Sequence, residues 1–218
     1  AARQRGVSAE VKGDLIVTTI GSFSVWLTPV LAAFQMLFPD LRLSLLSDYR
    51  LLRLEHGEAH LAIRAGPKPQ EPDNVVQHLG RFPITLFAHR DYVARMGPLA
   101  DPERPVGHRF VGGVKVGALS PHDRWINAHV PEADIVFRTG DNRVQSDAVA
   151  AGIGIGFAAV PNQSNPDLVQ VCPPRPEWEI DIWLVSHMAL HRTAKVQALS
   201  HFLIDQVRGL VGRAQTRP

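Results

Sequence analysis

The residues best suited to chemistry in this chain are those that could bind an anion. Two predicted helices begin directly after predicted strands, one at Gly21-Ser22-Phe23-Ser24 and the other at Thr139-Gly140-Asp141-Asn142. The first turn of a helix has free backbone N–H groups and about half a positive charge, so it favours an anion such as a carboxylate. Arg64 ends another predicted strand. Its guanidinium could hold a carboxylate through two parallel hydrogen bonds.

Each of these residues also has an ordinary structural use. The side chains predicted to bind a ligand are Ser22, Phe23, Ser24, Arg64, Thr139 and Asn142. Ser24, Asp141 and Asn142 are equally suited to cap helices, and Arg64 could be a simple ion-pair residue. Asp141 would repel an anion, so it is expected either to face away from the ligand or to pair with an arginine such as Arg143. Both interpretations stay open at this stage.

Aromatic side chains could supply the apolar walls of such a site. Phe23, Trp125 and Phe157 are the candidates, although core packing is the commoner use of these residue types and is the interpretation we favour for Phe157. Trp26 lies on the first predicted helix and could face a neighbouring subunit.

Motifs for other kinds of site are missing. The pairs His56/His60 and His187/His191 are each four residues apart, but the first spans Gly57 and the second crosses a strand end. Neither has a companion ligand in a metal-binding pattern. The glycines of the 152–156 segment follow a helix and precede a strand, which reverses the order of a dinucleotide-binding loop. No nucleophile elbow or P-loop occurs. We predict no metal, no cofactor and no catalytic residue.

The candidate residues lie on an alternation of strands and helices. A strand at 14–20, a helix at 25–38 and a strand at 41–47 predict a right-handed crossover unit. A short helix is predicted at 50–57, and Trp125 is predicted to open a short helical turn. The other predicted strands are 60–64, 75–79, 84–89, 109–112, 133–139, 168–172 and 179–187, and the other helices are 91–97, 143–151 and 193–209.

The segment QSDAVAAGIGIGFAAVP, residues 145–161, predicts a helix that turns directly into a buried strand. Gly152 suits the helix end because glycine enters the left-handed region without a steric penalty. The apolar run 153–160 is typical of a parallel sheet that is covered on both faces.

Composition narrows the class of protein. A length of 218 residues suits one large domain or two small lobes, and 45% hydrophobic residues are ordinary for a soluble globular protein. A net charge of +2 with dispersed arginines gives no basic stripe for nucleic acid. No stretch approaches the roughly 20 apolar residues of a membrane helix. The first residues lack the apolar core of a secretion signal. The single cysteine, Cys172, excludes an internal disulfide and points to the cytoplasm.

Four segments occur in a specific order and spacing. They are a strand leading through GSFS into a helix that ends in FPDLRLSLLS, then EHGEAHLAIRAG, then HRDYVAR, and then QSDAVAAGIGIGFAAVP. Together they resemble the effector-binding domain of LysR-type transcriptional regulators, over about residues 13–210. One departure is His60-Leu61-Ala62-Ile63, where many members have Asp-Leu-Ala-Ile. The family's N-terminal winged helix-turn-helix has no counterpart in this sequence.

The resemblance implies an α/β fold with two Rossmann-like subdomains, of the periplasmic-binding-protein type II architecture, joined by two crossover strands. Residues 13–89 with 162–210 would form subdomain I, and 90–161 would form subdomain II. Residues 1–12 would be the remnant of a linker helix, and 211–218 a C-terminal tail.

The resemblance also implies a function. The chain would sense a small anionic effector, such as a carboxylate, in the cleft between its lobes, and would act as a homodimer or homotetramer in the cytoplasm, without a membrane. Trp26, Val30 and Phe34 are candidate subunit contacts, with core burial competing for the last two. DNA would be bound only through the missing N-terminal domain. The alternatives are a solute-binding protein or an enzyme on the same scaffold, although no nucleophile and base can be assembled in the predicted cleft.

Overall fold

The computed structural model describes residues 11–47, 52–115, 120–160 and 165–215. The strands are β1 (Gly13–Thr19), β2 (Leu41–Ser47), β3 (Leu61–Ala65), β4 (Asn74–Phe82), β5 (Ile84–His89), β6 (Phe110–Gly113), β7 (Ile135–Thr139), β8 (Gly156–Ala159), β9 (Leu168–Gln170) and β10 (Ile180–His187). The helices are α1 (Ser24–Leu37), α2 (Arg90–Met96), α3 (Pro121–His129), α4 (Asn142–Ala150), α5 (Met188–His191) and α6 (Ala194–Gln215).

Contacts within the chain divide it into two compact units. Unit 1 comprises Ala1–Arg81 and Ile180–Pro218, and unit 2 comprises Phe82–Glu179. These boundaries differ from the predicted divisions near residues 89 and 161. The reason is strand pairing, because β5 lies between β8 and β9 in one sheet and so draws all three strands into unit 2.

Unit 1 is built on a five-stranded sheet with the order β2-β1-β3-β10-β4. β1 pairs in parallel with both β2 and β3, whereas β10 is antiparallel to β3. The parallel β1–α1–β2 unit is the crossover that the sequence predicts. As a result, the carboxyl ends of β1 and β3 lie at the same edge of the sheet.

Helix α1 uses its apolar stripe to complete this core. Phe34 is fully buried, and its ring centroid lies 5.4 Å from that of Phe202 on α6. Trp26 and Val30 are buried as well. These three residues, predicted as candidate subunit contacts, therefore belong to the interior of the unit, because the stripe that carries them packs within the fold.

Unit 2 holds two smaller sheets, β8-β5-β9 and the parallel pair β6-β7. Gly152 ends α4 at φ 76°, and Ile153 N–H donates to Ala148 O at 3.2 Å, which closes the helix as predicted. The strand that follows is shorter than predicted, Gly156–Ala159, and it runs antiparallel to β5. The prediction that this segment belongs to a parallel sheet is therefore wrong for β8, although Ile155 forms a parallel bridge to Phe110.

Two other sequence predictions differ from the structure. Helix α3 begins at Pro121 with Ser120 as its N-cap, so Trp125 lies within the helix instead of opening it. The predicted helix at 50–57 lies partly outside the described residues, and its described part is a single 3-10 turn, Leu54–His56, which Gly57 ends at φ 70°.

Within the described ranges, none of the helices has the length and apolarity that crossing a membrane requires.

Candidate functional site

A cavity of about 600 Å³ lies in unit 1, where β1 and β3 end. Its lining residues are Thr18, Thr19, Ile20, Leu52, Ala62, Ile63, Arg64, Ala65, Pro67, Lys68, Pro69, Gln70 and Glu71. Most of these side chains are apolar, and the charged ones come from the end of β3 and the loop after it. The carboxyl ends of parallel strands are the usual place for ligand sites in α/β folds.

Strand pairing fixes the floor of this cavity. Thr18 lies opposite Ala62 in the parallel pair of β1 and β3. The hydroxyl of Thr19 donates to the backbone O of Ile63 at 3.2 Å, and both groups are buried. This bond ties the two strand ends together and leaves the hydroxyl of Thr19 already satisfied by the protein.

The wall of the cavity is the loop 66–71. Gly66 takes a left-handed conformation at φ 111°, and its N–H donates to Asp181 O at 2.9 Å. The indole Nε1–H of Trp183 donates to Gly66 O at 2.8 Å. Both partners of Gly66 are on β10, so the central sheet of unit 1 anchors the loop at its first residue.

Arg64 and Glu71 form an ion pair in this wall. Nη1 of Arg64 donates to Oε1 of Glu71 at 2.8 Å, and the side chains are 15% and 48% exposed respectively. The pKa of Glu71 is lowered, chiefly by a hydrogen bond from its own backbone N–H and further by the side chains of Arg64 and Asn74, while partial burial opposes the change. Glu71 is therefore ionised near neutral pH, and it faces the one guanidinium among the cavity's lining residues.

The predicted residues at the start of α1 lie next to this cavity along the chain. Ile20 lines it, and Gly21–Phe23 forms a 3-10 turn in which Ser22 and Phe23 are buried. The residue that precedes α1 is Phe23, so neither Ser22 nor Ser24 occupies the N-cap, contrary to the capping interpretation. Of the six predicted ligand residues, Arg64 is the one among the described lining residues of the cavity.

The second predicted helix start belongs to unit 2. Asp141 caps α4, and its Oδ1 accepts from the N–H groups of Arg143 at 2.7 Å and Val144 at 3.3 Å. Thr139 Oγ1 accepts from Asp141 N–H at 3.2 Å, and Asn142 is the first residue of the helix. The capping interpretation of Asp141 is confirmed. Two of the N–H groups that could have bound an anion are used by its carboxylate.

The other lining residues of the cavity, among them Thr18, Thr19 and the loop 67–71, were not among the predicted ligand residues. That loop contains two prolines, a composition that by itself indicates only a turn. Its place directly after a strand of the parallel part of the sheet was the available signal, because such loops line ligand sites.

The histidines considered for metal binding have other partners. Nδ1 of His60 accepts from the N–H of Ile16 at 3.0 Å, and Nδ1 of His191 lies 3.0 Å from Ser186 Oγ. Across the described residues, no group of three or more His, Cys, Asp or Glu side chains could hold a metal ion.

Comparison with known proteins identifies the family. The sequence matches the model of the LysR substrate binding domain over residues 8–208. The chain belongs to the LysR substrate-binding domain family. This family comprises the ligand-sensing regulatory domains of LysR-type transcriptional regulators, and its fold is of the periplasmic-binding-protein type II class, so the fold class predicted from the sequence is confirmed.

One individual relative agrees with this assignment. An HTH-type transcriptional regulator of Xanthomonas campestris pv. campestris is 32% identical over 84 residues, which are 38% of this chain and 24% of the relative. The match thus spans about a quarter of that regulator's length.

Solved structures of LysR-type proteins share the fold. The regulatory domain of CrgA from Neisseria meningitidis superposes with a TM-score of 0.75 at 21% identity, covering 90% of this chain and 99% of that one. The effector domain of AmpR from Pseudomonas aeruginosa gives 0.70 at 20% identity, covering 92% and 99%. Full-length AphB from Vibrio cholerae gives 0.67 at 18% identity, covering 94% and 73%.

Proposed function

We propose that this LysR domain senses a small anionic effector and that the cavity in unit 1 forms part of its effector site. The observation that carries the proposal is Arg64, a largely buried guanidinium in an otherwise mainly apolar cavity. An arginine stays charged at any physiological pH and holds carboxylates through paired hydrogen bonds. An apolar pocket of several hundred Å³ with a few polar anchors is the usual form of a small-molecule site.

The mechanism we propose is a population shift. The effector would bind one arrangement of the domain more tightly than another and so increase its population. In the whole regulator, that change would alter how the subunits pack and how an N-terminal winged helix-turn-helix meets DNA. The regulator would work in the cytoplasm as a homodimer or homotetramer, without catalytic activity and without a cofactor.

Ligand binding is tested by a thermal-shift screen of small carboxylates, aromatic acids and amino acids. A ligand at one hundred times its Kd stabilises the folded state by about 2.7 kcal/mol. For a chain of this size, that gain corresponds to a rise in Tm of about 5–10 °C. The substitution Arg64→Ala is expected to abolish the rise for a carboxylate.

Arg42→Ala is the matched control. Arg42 is an exposed arginine that pairs with Asp14 on β1 at 2.7 Å, so its removal changes the net charge equally without touching the cavity. The control is expected to keep the full thermal shift. A carboxylate whose shift survives Arg64→Ala unchanged would show that Arg64 does not bind it.

Self-association is proposed to use the outer face of α1. Because its inner face packs in the core, the apolar residues this helix presents to solvent include Met36, which is 84% exposed, and Leu37. At tens of micromolar the chain is expected to sediment as a dimer or larger oligomer, and Met36→Glu to shift it toward the monomer. Val106→Glu, at another exposed apolar residue, is the control and should have no effect. A wild-type monomer at that concentration would refute the proposal.

A further inference from the structure

Arg64, one of two cationic side chains among the described lining residues of the cavity, already has a carboxylate partner. Arg64 donates to Glu71 at 2.8 Å, and Glu71 comes from the loop that follows the same strand. The pair has the chemistry of an arginine holding a bound acid, except that the acid is supplied by the chain. Any carboxylate that binds Arg64 in the same way must first replace Glu71 or share the guanidinium with it.

The side chains of Arg64 and Glu71 differ in how strongly the surrounding protein restrains them. The side chain of Arg64 is 15% exposed and lies among cavity residues, so its guanidinium has little freedom to leave. The side chain of Glu71 is 48% exposed, so its carboxylate has water on one side. An exchange would therefore move Glu71 outward and leave Arg64 in place.

Glu71 also keeps other partners when it leaves Arg64. Its own backbone N–H and the side chain of Asn74, at the start of β4, are close enough to its carboxylate to lower the pKa of Glu71. The backbone O of Glu71 accepts from Asn74 N–H at 3.2 Å, which keeps this end of the loop attached. Because its side chain is already 48% exposed, the released carboxylate stays in contact with water, and the exchange leaves no unpaired charge buried in the protein.

We infer that Glu71 is an internal competitor for the effector's carboxylate and sets how strongly the cavity favours acids over uncharged ligands. This inference rests on the proposed function of the cavity. The fitting ligand class is an acid with an apolar body, because the lining around Arg64 is built mainly of isoleucine, leucine, alanine and proline. An uncharged ligand of the same shape does not need Arg64, so Glu71 does not oppose its binding.

The test is a calorimetric titration with a matched pair of probes at pH 7.5 and constant ionic strength. Cyclohexanecarboxylate carries the charge, and cyclohexanecarboxamide has nearly the same shape without it. Four proteins are compared: the wild-type chain, Glu71→Gln, Arg64→Gln and Asp14→Asn. Asp14 pairs with Arg42 at the opposite end of β1, so Asp14→Asn changes the net charge as Glu71→Gln does, but away from the cavity.

The expected result is selective. Glu71→Gln should bind the carboxylate about fivefold more tightly, which is the upper range for removing a half-exposed ion-pair partner. Its affinity for the carboxamide should not change, and Asp14→Asn should behave as the wild type with both probes. Arg64→Gln should lose the carboxylate and keep the carboxamide. If Glu71 has only a structural role, Glu71→Gln should change the affinity for both probes together.

The titration distinguishes failure of the proposed effector site from failure of the competitor role of Glu71. If the carboxylate needs Arg64 but Glu71→Gln does not tighten it, or tightens the carboxamide equally, the competitor role is refuted and the proposed site stands. An equal gain in Asp14→Asn refutes it as well, because the effect is then long-range charge. If Arg64→Gln binds the carboxylate as well as the wild type does, or if none of the four proteins binds it, the proposed site and the inference both fall.

Discussion

The substitution Phe34→Ala on α1 is expected to be among the most destabilising single changes in unit 1. The side chain is 0% exposed, and its ring centroid lies 4.8 Å from that of Phe38 and 5.4 Å from that of Phe202. A buried phenyl ring removes on the order of 150 Å² of surface from water. At about 25 cal/mol per Å², this burial contributes about 4 kcal/mol. We therefore expect the free energy of unfolding to fall by about 3–5 kcal/mol, the range measured for such truncations.

Urea unfolding of the purified chain measures this change. With a slope of about 2 kcal/mol per M, a loss of 4 kcal/mol lowers the midpoint of unit 1 by about 2 M. Met36→Ala is the control on the same helix. Met36 lies two residues further along and is 84% exposed, so its truncation should stay within about 0.5 kcal/mol.

The comparison also tests which face of α1 is free. It should be made at a protein concentration where the chain is monomeric, so that association does not stabilise either variant. If Met36→Ala lowers the free energy of unfolding as much as Phe34→Ala does, α1 does not pack through the face described above. The proposal that its Met36 face joins subunits is then refuted as well.

Two further perturbations follow from the structure. Acidification should destabilise the chain, because burial lowers the pKa of His122 and of His60, so the unfolded chain binds more protons. Stability should be level above pH of about 6.5 and fall below it, by at most about 1.4 kcal/mol per pH unit for each histidine. A urea midpoint that rises between pH 7.5 and 5 would contradict this. Gly154→Ala should lower the free energy of unfolding more than Gly152→Ala does. Gly152→Ala is expected to lower it by about 1–2 kcal/mol, because an alanine is strained in the left-handed backbone conformation of this residue. A Cβ at Gly154 would lie 2.5 Å from Arg109 O, whereas at Gly152 the nearest atom is 3.8 Å away. Thermal unfolding ranks the two variants, and the reverse order would refute the packing.

Local signals in the sequence predicted most elements well. The bounds of β2 and β5 match their predicted ranges, and α1 begins and ends one residue before its predicted limits. Gly152 and Asp141 took the roles that their residue types favour at helix ends. These features depend on periodicity, backbone freedom and short hydrogen bonds, which are all properties of a few neighbouring residues.

The pairing of strands that are far apart in the sequence was harder to predict than the strands themselves. The apolar run after Gly152 has the composition of a doubly covered strand, and that part of the prediction holds because β8 is buried. Its partner, β5, is more than sixty residues away along the chain and runs in the opposite direction. An apolar run has the same sequence pattern in either sheet type, so its direction of pairing cannot be read from its residues.

By itself, the sequence of this protein determined the order of most strands and helices and the family, and it made Arg64 a candidate ligand residue, because these depend on residue types and their spacing. Only the tertiary structure decided what Arg64 faces. Its partner Glu71 is seven residues away, but the loop between them takes its position from Trp183 and Asp181 on β10, more than a hundred residues further along. A hydrogen bond to a distant strand leaves no trace in local periodicity. The pairing of the site's arginine with the chain's own carboxylate is therefore a property of the folded molecule.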